Sequence, residues 1–272
     1  MAENSKIEWT HHTFNPWWGC IKVSPACKHC YAESWARRWG NDLWGAKSER
    51  RFFTDKHWQD PIKWNIQAEQ AGERQRVFCA SMADVFEVRN DLDESRERLW
   101  QLIDDTPHLD WLLLTKRIEA VNDIAPWGED WPENVWLGTT IENQKYAELR
   151  LPHLVKSSAK TKFVSCEPLL GELEISDYLR DIDWAIAGGE SGPSARPMDP
   201  AWARSLRDQC LKENTAFHFK QWGNWLPVSG SEEFAIKRKT VVVSQDVVMA
   251  NVGKKLAGRL LDGIEWNQLP VT

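Results

Sequence analysis

Three cysteines, Cys20, Cys27 and Cys30, fall in one short segment with the spacing Cys-x6-Cys-x2-Cys, while Cys79, Cys166 and Cys210 lie apart. Three thiolates so close in sequence suit a soft metal centre. A set of three leaves one coordination position open to water, substrate or cofactor, whereas a structural site normally closes its tetrahedron. His29 offers the fourth donor of a closed zinc site, although its place between two ligands of one tight turn works against it. Six cysteines in 272 residues are too few for a disulfide scaffold, so a metal or cluster is the first reading of the trio.

The remaining chemistry-bearing residues follow short apolar runs. Thr115, Lys116 and Arg117 end DWLLLTKR with donors suited to a carboxylate or phosphate, Arg as a rigid fork and Lys as a point charge. Glu167 stands between Cys166 and Pro168, and the proline restricts its backbone, holding it as a substrate-orienting carboxylate. Cys166 is either a second-site thiol able to donate hydrogen or a small buried hydrophobe. GGESG allows close backbone approach, and its Glu190 suits ribose hydroxyls or an ammonium. Lys220, Gln221 and Trp222 combine a cation, an amide and a π surface, a set for a base or nucleoside, although Trp222 also suits packing.

These residues need a frame that brings strand ends together. The apolar segments at 76–87, 110–117, 135–143, 162–171, 183–192 and 217–223 place strand ends near Ala80, Leu114, Gly138, Ser165, Gly188 and Lys220, 23 to 34 residues apart, which leaves room for a helix between each pair. Leu92, Leu99, Trp100 and Ile103 form one helical stripe. Asp199 and Pro200 read as an N-cap and first helical residue, and Pro152 is expected to stop or kink the helix begun by ENQKYAELR. Continuous apolar runs indicate strands covered on both sides. With a further strand at Thr13 to Trp18, the expectation is an α/β protein, a complete or partial β/α barrel whose active site lies at the carboxyl ends of parallel strands. One domain would span 1–223, including a Trp-rich insertion at about 31–75, with 224–272 a small C-terminal cap on it.

FNPWWGC at 14–20, CKHCYA at 27–32, SMADVFE at 81–87, LTKR at 114–117, GTTIEN at 138–143, SCEPLLG at 165–171, GGESGPSARP at 188–197, FKQWG at 219–223 and AGRLLDGIEWN at 257–267 run almost end to end. On these the chain resembles the phage-associated three-Cys-motif family of unknown function, itself similar to the radical S-adenosylmethionine superfamily. The resemblance implies a [4Fe-4S] cluster on Cys20, Cys27 and Cys30. Its free iron would bind S-adenosylmethionine, and one electron would cleave the sulfonium to a 5'-deoxyadenosyl radical. It further implies cofactor contacts from Ser81, Asp84, Thr140, Glu142 and Asn143, and a reducing partner such as flavodoxin or ferredoxin. Asp84 as a helix cap and Glu142 in a helix's first turn are the plainer readings. The chain departs from the superfamily in its x6 spacing and in having His29 where an aromatic residue is usual.

Charge gives no global argument for nucleic acid: 34 basic residues face 40 acidic ones. No HExxH, Walker A or zinc-deaminase pattern occurs. No apolar run approaches a bilayer span and the first residues lack a secretory signal, so a cytoplasmic location is expected. Eighteen Trp against three Tyr read as bulky core for the most part, with Trp17, Trp18 and Trp222 set aside as base-stacking candidates. The expected function is a radical S-adenosylmethionine-like enzyme acting on a nucleotide or nucleic acid. The alternative is a non-catalytic nucleic-acid-binding protein stabilised by a metal or cluster.

Overall fold

A computed structural model of the chain describes residues 3–228, 238–245 and 247–271. The apolar runs become β1 (His12–Phe14), β2 (Gln75–Cys79), β3 (Leu109–Thr115), β4 (Val135–Thr140), β5 (Thr161–Cys166), β6 (Trp184–Gly188) and β7 (Ala216–Gln221). Their order in the sheet is their order in the sequence. Paired strands run parallel: Phe14 faces Cys79, Cys79 faces Leu113, Thr115 faces Thr139, Cys166 faces Ala187 and Gly188 faces Gln221. The connections carry α1 (Tyr31–Arg38), α2 (Asp60–Ala71), α3 (Asp93–Asp104), α4 (Gln144–Lys156) and α5 (Pro200–Glu213). The fold is therefore α/β, of the partial TIM-like barrel kind.

Local chemistry explains most boundaries. Asp199 accepts a hydrogen bond from the Ala201 amide at 2.8 Å and Pro200 opens α5. Leu92, Leu99 and Ile103 are fully buried, as the helical stripe requires. Two expectations need correction. The first strand stops at Phe14, because Pro16 has no amide to donate. Trp17 and Trp18 instead pair antiparallel with Arg51 and Phe52 in a separate ribbon. Of the stop or kink expected at Pro152, the stop does not occur: the proline lies inside α4, where buried Ala147, Leu151 and Leu154 hold the helix by packing.

The chain forms two compact units. One comprises Met1–Ser24, Ala32–Thr139 and Lys156–Lys162, the other Pro25–Tyr31, Thr140–Val155 and Phe163–Thr272. In the first, Phe14, Val77, Trp111, Leu112, Leu113 and Leu137 make a solvent-free core. In the second, Phe163, Trp184, Ile186, Leu206, Phe217 and Phe219 do the same. The second unit also carries β8 (Trp225–Val228), β9 (Thr240–Ser244) and β10 (Val247–Asn251), antiparallel with β10 in the middle. VVVSQDVVMA thus supplies a hairpin's two strands, while the expected cap at 224–272 is described only in part because 229–237 lie outside the described residues.

Three histidines in the first unit give the fold a pH dependence. The Arg76 amide donates to His11 Nδ1 at 2.8 Å, so that nitrogen must keep its lone pair. Burial and Arg76 push His11 down from 6.5 to about 4, and burial also lowers His12, stacked on Trp64, and His57, stacked on Phe53. The unfolded chain takes up protons below about 6.5 that the folded imidazoles refuse, so stability falls as pH drops through that value. The urea midpoint is expected to be lower near pH 5 than near pH 7.5. His57→Gln, which keeps a donor for the Asn15 carbonyl, should flatten that decline; an unchanged slope would contradict the assignment.

Candidate functional site

In the first unit the polar residues at the ends of β2 and β3 are tied to Cys20. Asp84 Oδ1 accepts from the Thr115 hydroxyl at 2.7 Å and the Phe86 amide at 3.1 Å. Its Oδ2 accepts from the Lys116 amide at 3.1 Å and Arg117 Nη1 at 2.9 Å. Four donors on one buried carboxylate fix Arg117, whose Nη1 also lies 3.8 Å from Cys20 Sγ and whose Nη2 donates to the Ile21 carbonyl at 2.8 Å. Arg117 is thus clamped between Asp84 and the Cys20 segment. Burial first, then Asp84, pushes the Cys20 thiol up to about 12, with Arg117 acting the other way. Ser81, half-buried, accepts from Asn15 Nδ2 at 3.1 Å, while Asn15 Oδ1 accepts from the Met82 amide at 2.6 Å.

In the second unit two further carboxylates are tied to the turn that carries Cys27. Glu142 is fully buried. Its Oε2 takes Arg150 Nη1 at 2.9 Å and its Oε1 accepts from the Ala26 amide at 3.2 Å, immediately before Cys27. Glu190 binds Arg196 through both oxygens, at 2.5 Å and 2.8 Å, and Arg196 Nη2 also donates to the Pro25 carbonyl at 3.1 Å. Asn143 accepts from the Tyr146 amide with its side chain at 3.3 Å, opening α4, and Thr140 is buried with its carbonyl on Arg150.

Glu167 and Lys220 face one another across the ends of β5 and β7, with Nζ 3.1 Å from each carboxylate oxygen and both side chains partly open to solvent. A Cβ on Gly188 would lie 2.5 Å from Glu167 Oε1, so the bare glycine makes room for that carboxylate. Gly189 serves a different need, close approach to the Trp222 carbonyl. Cys166 is wholly buried, and burial pushes its thiol up. Gln221 is buried, and Trp222, packed on Phe219, donates to the Leu260 carbonyl at 2.8 Å. Trp17 and Trp18 are buried as well, so none of the three tryptophans set aside as stacking candidates presents an open ring.

The residues expected to meet a ligand meet partners from the chain itself. Arg117, Glu190 and Lys220 each engage an ion pair within their own unit. The partners missed in the sequence are Arg150 and Arg196. Arg196 is the first basic residue after Glu190, six positions on, but Arg150, eight beyond Glu142, follows Lys145 and so carried no distinct signal.

Cys20, Cys27 and Cys30 are half-buried, whereas Cys79, Cys166 and Cys210 are fully buried. Three accessible thiols with a guanidinium beside one of them have the chemistry of an iron-sulfur ligand set. Among the described residues no three His, Cys, Asp or Glu side chains stand in metal-binding geometry. Cys20 belongs to the first unit and Cys27 and Cys30 to the second.

The parallel sheet and its strand-end polar residues define an α/β partial-barrel protein. The chain belongs to the family described as Protein of unknown function (DUF5131), whose profile matches residues 4–270. Among solved structures, a spore photoproduct lyase mutant is similar at 14% identity over 93% of this chain and 72% of its own, with a TM-score of 0.49. A lyase mutant with bound AdoMet and dinucleoside spore photoproduct is similar at 14% identity over 89% and 68%, with a TM-score of 0.46. The lyase complexed with dinucleoside spore photoproduct is similar at 14% identity over 86% and 66%, with a TM-score of 0.45. A comparison with curated proteins gave no match. Among the described residues no helix is long and apolar enough to cross a membrane.

Asp84→Asn tests the bracing role. It keeps the size of the side chain but leaves Arg117 as a buried charge without its counter-ion, a change that costs about 3–5 kcal/mol. Urea unfolding should show a loss of that order. Stability within about 0.5 kcal/mol of the parent, the usual range for a surface change, would show that Asp84 does not hold Arg117.

Proposed function

We propose that the protein is a radical S-adenosylmethionine-like iron-sulfur enzyme that modifies a nucleotide or nucleic acid, with electrons from a flavodoxin- or ferredoxin-like reductant. The observation that carries this reading is the bracing of the cysteine segments. Arg117 is held by Asp84 against Cys20, and Glu142 and Arg196 hold the peptide groups just before Cys27. Buried ion pairs are costly devices, and stability alone does not explain two of them, Asp84–Arg117 and Glu142–Arg150, tied to cysteine-bearing segments.

In this reading Cys20, Cys27 and Cys30 would hold a [4Fe-4S] cluster able to bind S-adenosylmethionine. When bound, the cluster supplies the electron that cleaves the sulfonium. Asp84 and Glu142 act as positioning residues, and Ser81, Thr140 and Asn143 complete the cofactor side. The partly open Glu167 and Lys220 orient the substrate, the carboxylate accepting from hydroxyl or amino groups and the ammonium meeting an anionic portion. Lys116, Glu190, Gln221 and Trp222 are the further residues that this reading assigns to the substrate.

The test is anaerobic reconstitution followed by iron and sulfide analysis and electron paramagnetic resonance. The parent chain should carry the signal of a reduced four-iron cluster. Cys20→Ala, Cys27→Ala and Cys30→Ala should each lose it, while Cys210→Ala keeps it. An intact cluster in all three single variants, or stoichiometric zinc without iron in the parent, would overturn the reading.

A further inference from the structure

Helix α1 is amphipathic in an inverted sense. Its buried positions are Ala32, Glu33 and Ala36, and its large rings point the other way. Trp35 is 40% exposed, and Trp39, in the turn directly after the helix with its ring against that of Trp35, is 69% exposed. Tryptophan usually hides most of its surface, and two adjacent exposed indoles in a chain that buries most of its others call for a ligand.

The two rings end a ladder. Phe53 meets buried Trp18 edge-on at 5.5 Å, Trp18 meets Trp35 edge-on at 5.1 Å, and Trp35 meets Trp39 at 5.9 Å. Arg51 lies over the Trp18 ring, 4.7 Å from its centre. The inner rings are held rigid by packing and the outer two are offered to solvent. Phe52, although exposed, pairs with Trp17 in the neighbouring ribbon register, one residue out of step with Arg51 and Trp18, and takes no part.

Charge decides what such a surface would hold. From Ser34 to Phe53 there are five basic and two acidic residues, +3 in a chain of net -6. Arg50 is buried on Glu87, and Arg37 is engaged by Glu33 and Asp42. Arg38 and Lys47 are exposed and form no ion pair among the described residues, and Arg51 is exposed on the ladder. Aromatic faces flanked by guanidinium groups match alternating bases and phosphates of an unpaired strand, since every base has a π face and every linkage a negative charge. We propose that Trp35 and Trp39, with Arg38 and Arg51, bind single-stranded nucleic acid by base stacking, without regard to its sugar. This narrows the substrate class proposed above to a polymer, and rests on that reading only for its meaning, since binding here needs no cluster.

Fluorescence anisotropy with labelled oligothymidylate and oligouridylate of ~16 nucleotides, the upper end of a single-strand site, tests it on the full chain. Both strands should bind, and a duplex of matched length more weakly. Trp39→Ala should lower affinity about tenfold, and Trp39→Phe should restore most of it. Arg38→Gln and Arg51→Gln should each reduce the logarithmic salt slope by about 0.7. Equal binding by the parent and by the Trp35→Ala, Trp39→Ala double variant would overturn the proposal, as would no binding to either strand. So would self-association abolished by the double variant, which would make the patch a dimer contact. Binding that persists in Cys20→Ala would uphold this surface even if the cluster reading fails.

Discussion

A carboxylate removed from water needs a counter-charge and a full set of donors, and that constraint organises the polar half of this protein. Asp84 meets it with Arg117, Glu142 with Arg150 and Glu190 with Arg196. Each pair then reaches one step further, to Cys20 and Ile21, to the Ala26 amide, or to the Pro25 carbonyl. The segments carrying the cysteines have little regular structure of their own. Cys20 and Cys30 lie outside helix and strand, and Cys27 ends a single 3-10 turn. Their placement is set by strand-end side chains rather than by local backbone propensity.

The sheet makes this possible by putting Asp84, Arg117 and Glu142 just beyond strands whose cores are saturated with Val, Leu, Phe and Trp. The glycines beside the second unit's polar residues serve the same end. Gly188 leaves space for Glu167, and Gly223, at φ +78, lies against the Glu190 carbonyl where a Cβ would collide. Glu190 therefore keeps its place through backbone contact with the Trp222 to Asn224 turn as well as through Arg196.

Strands and long helices were legible in the residues because burial on both sides leaves a continuous apolar run and burial on one side leaves a stripe. β3, β6, α3 and α5 follow directly from those patterns. β1 was misjudged because Trp17 and Trp18 look like strand continuation, while Pro16 breaks the ladder and hands them to another ribbon. Asp84 and Glu142 were singled out as cofactor contacts, and in the fold each holds an arginine. Their roles were not legible, because a carboxylate reads the same whether it faces a ligand or an arginine supplied by folding. The tryptophans show the same limit. Trp17, Trp18 and Trp222 drew attention by their polar neighbours and are buried, whereas Trp35 and Trp39 reveal their exposure only through the alanines on the other side of α1.

The central claim is that the braced cysteines serve cofactor chemistry and not merely structure. The most direct measurement incubates the anaerobically reconstituted, dithionite-reduced protein with S-adenosylmethionine and follows 5'-deoxyadenosine and methionine by chromatography. The account predicts formation of both by the parent chain and by Cys210→Ala, and none by Cys20→Ala, Cys27→Ala or Cys30→Ala. A parent chain with a full four-iron cluster that leaves S-adenosylmethionine intact would contradict it.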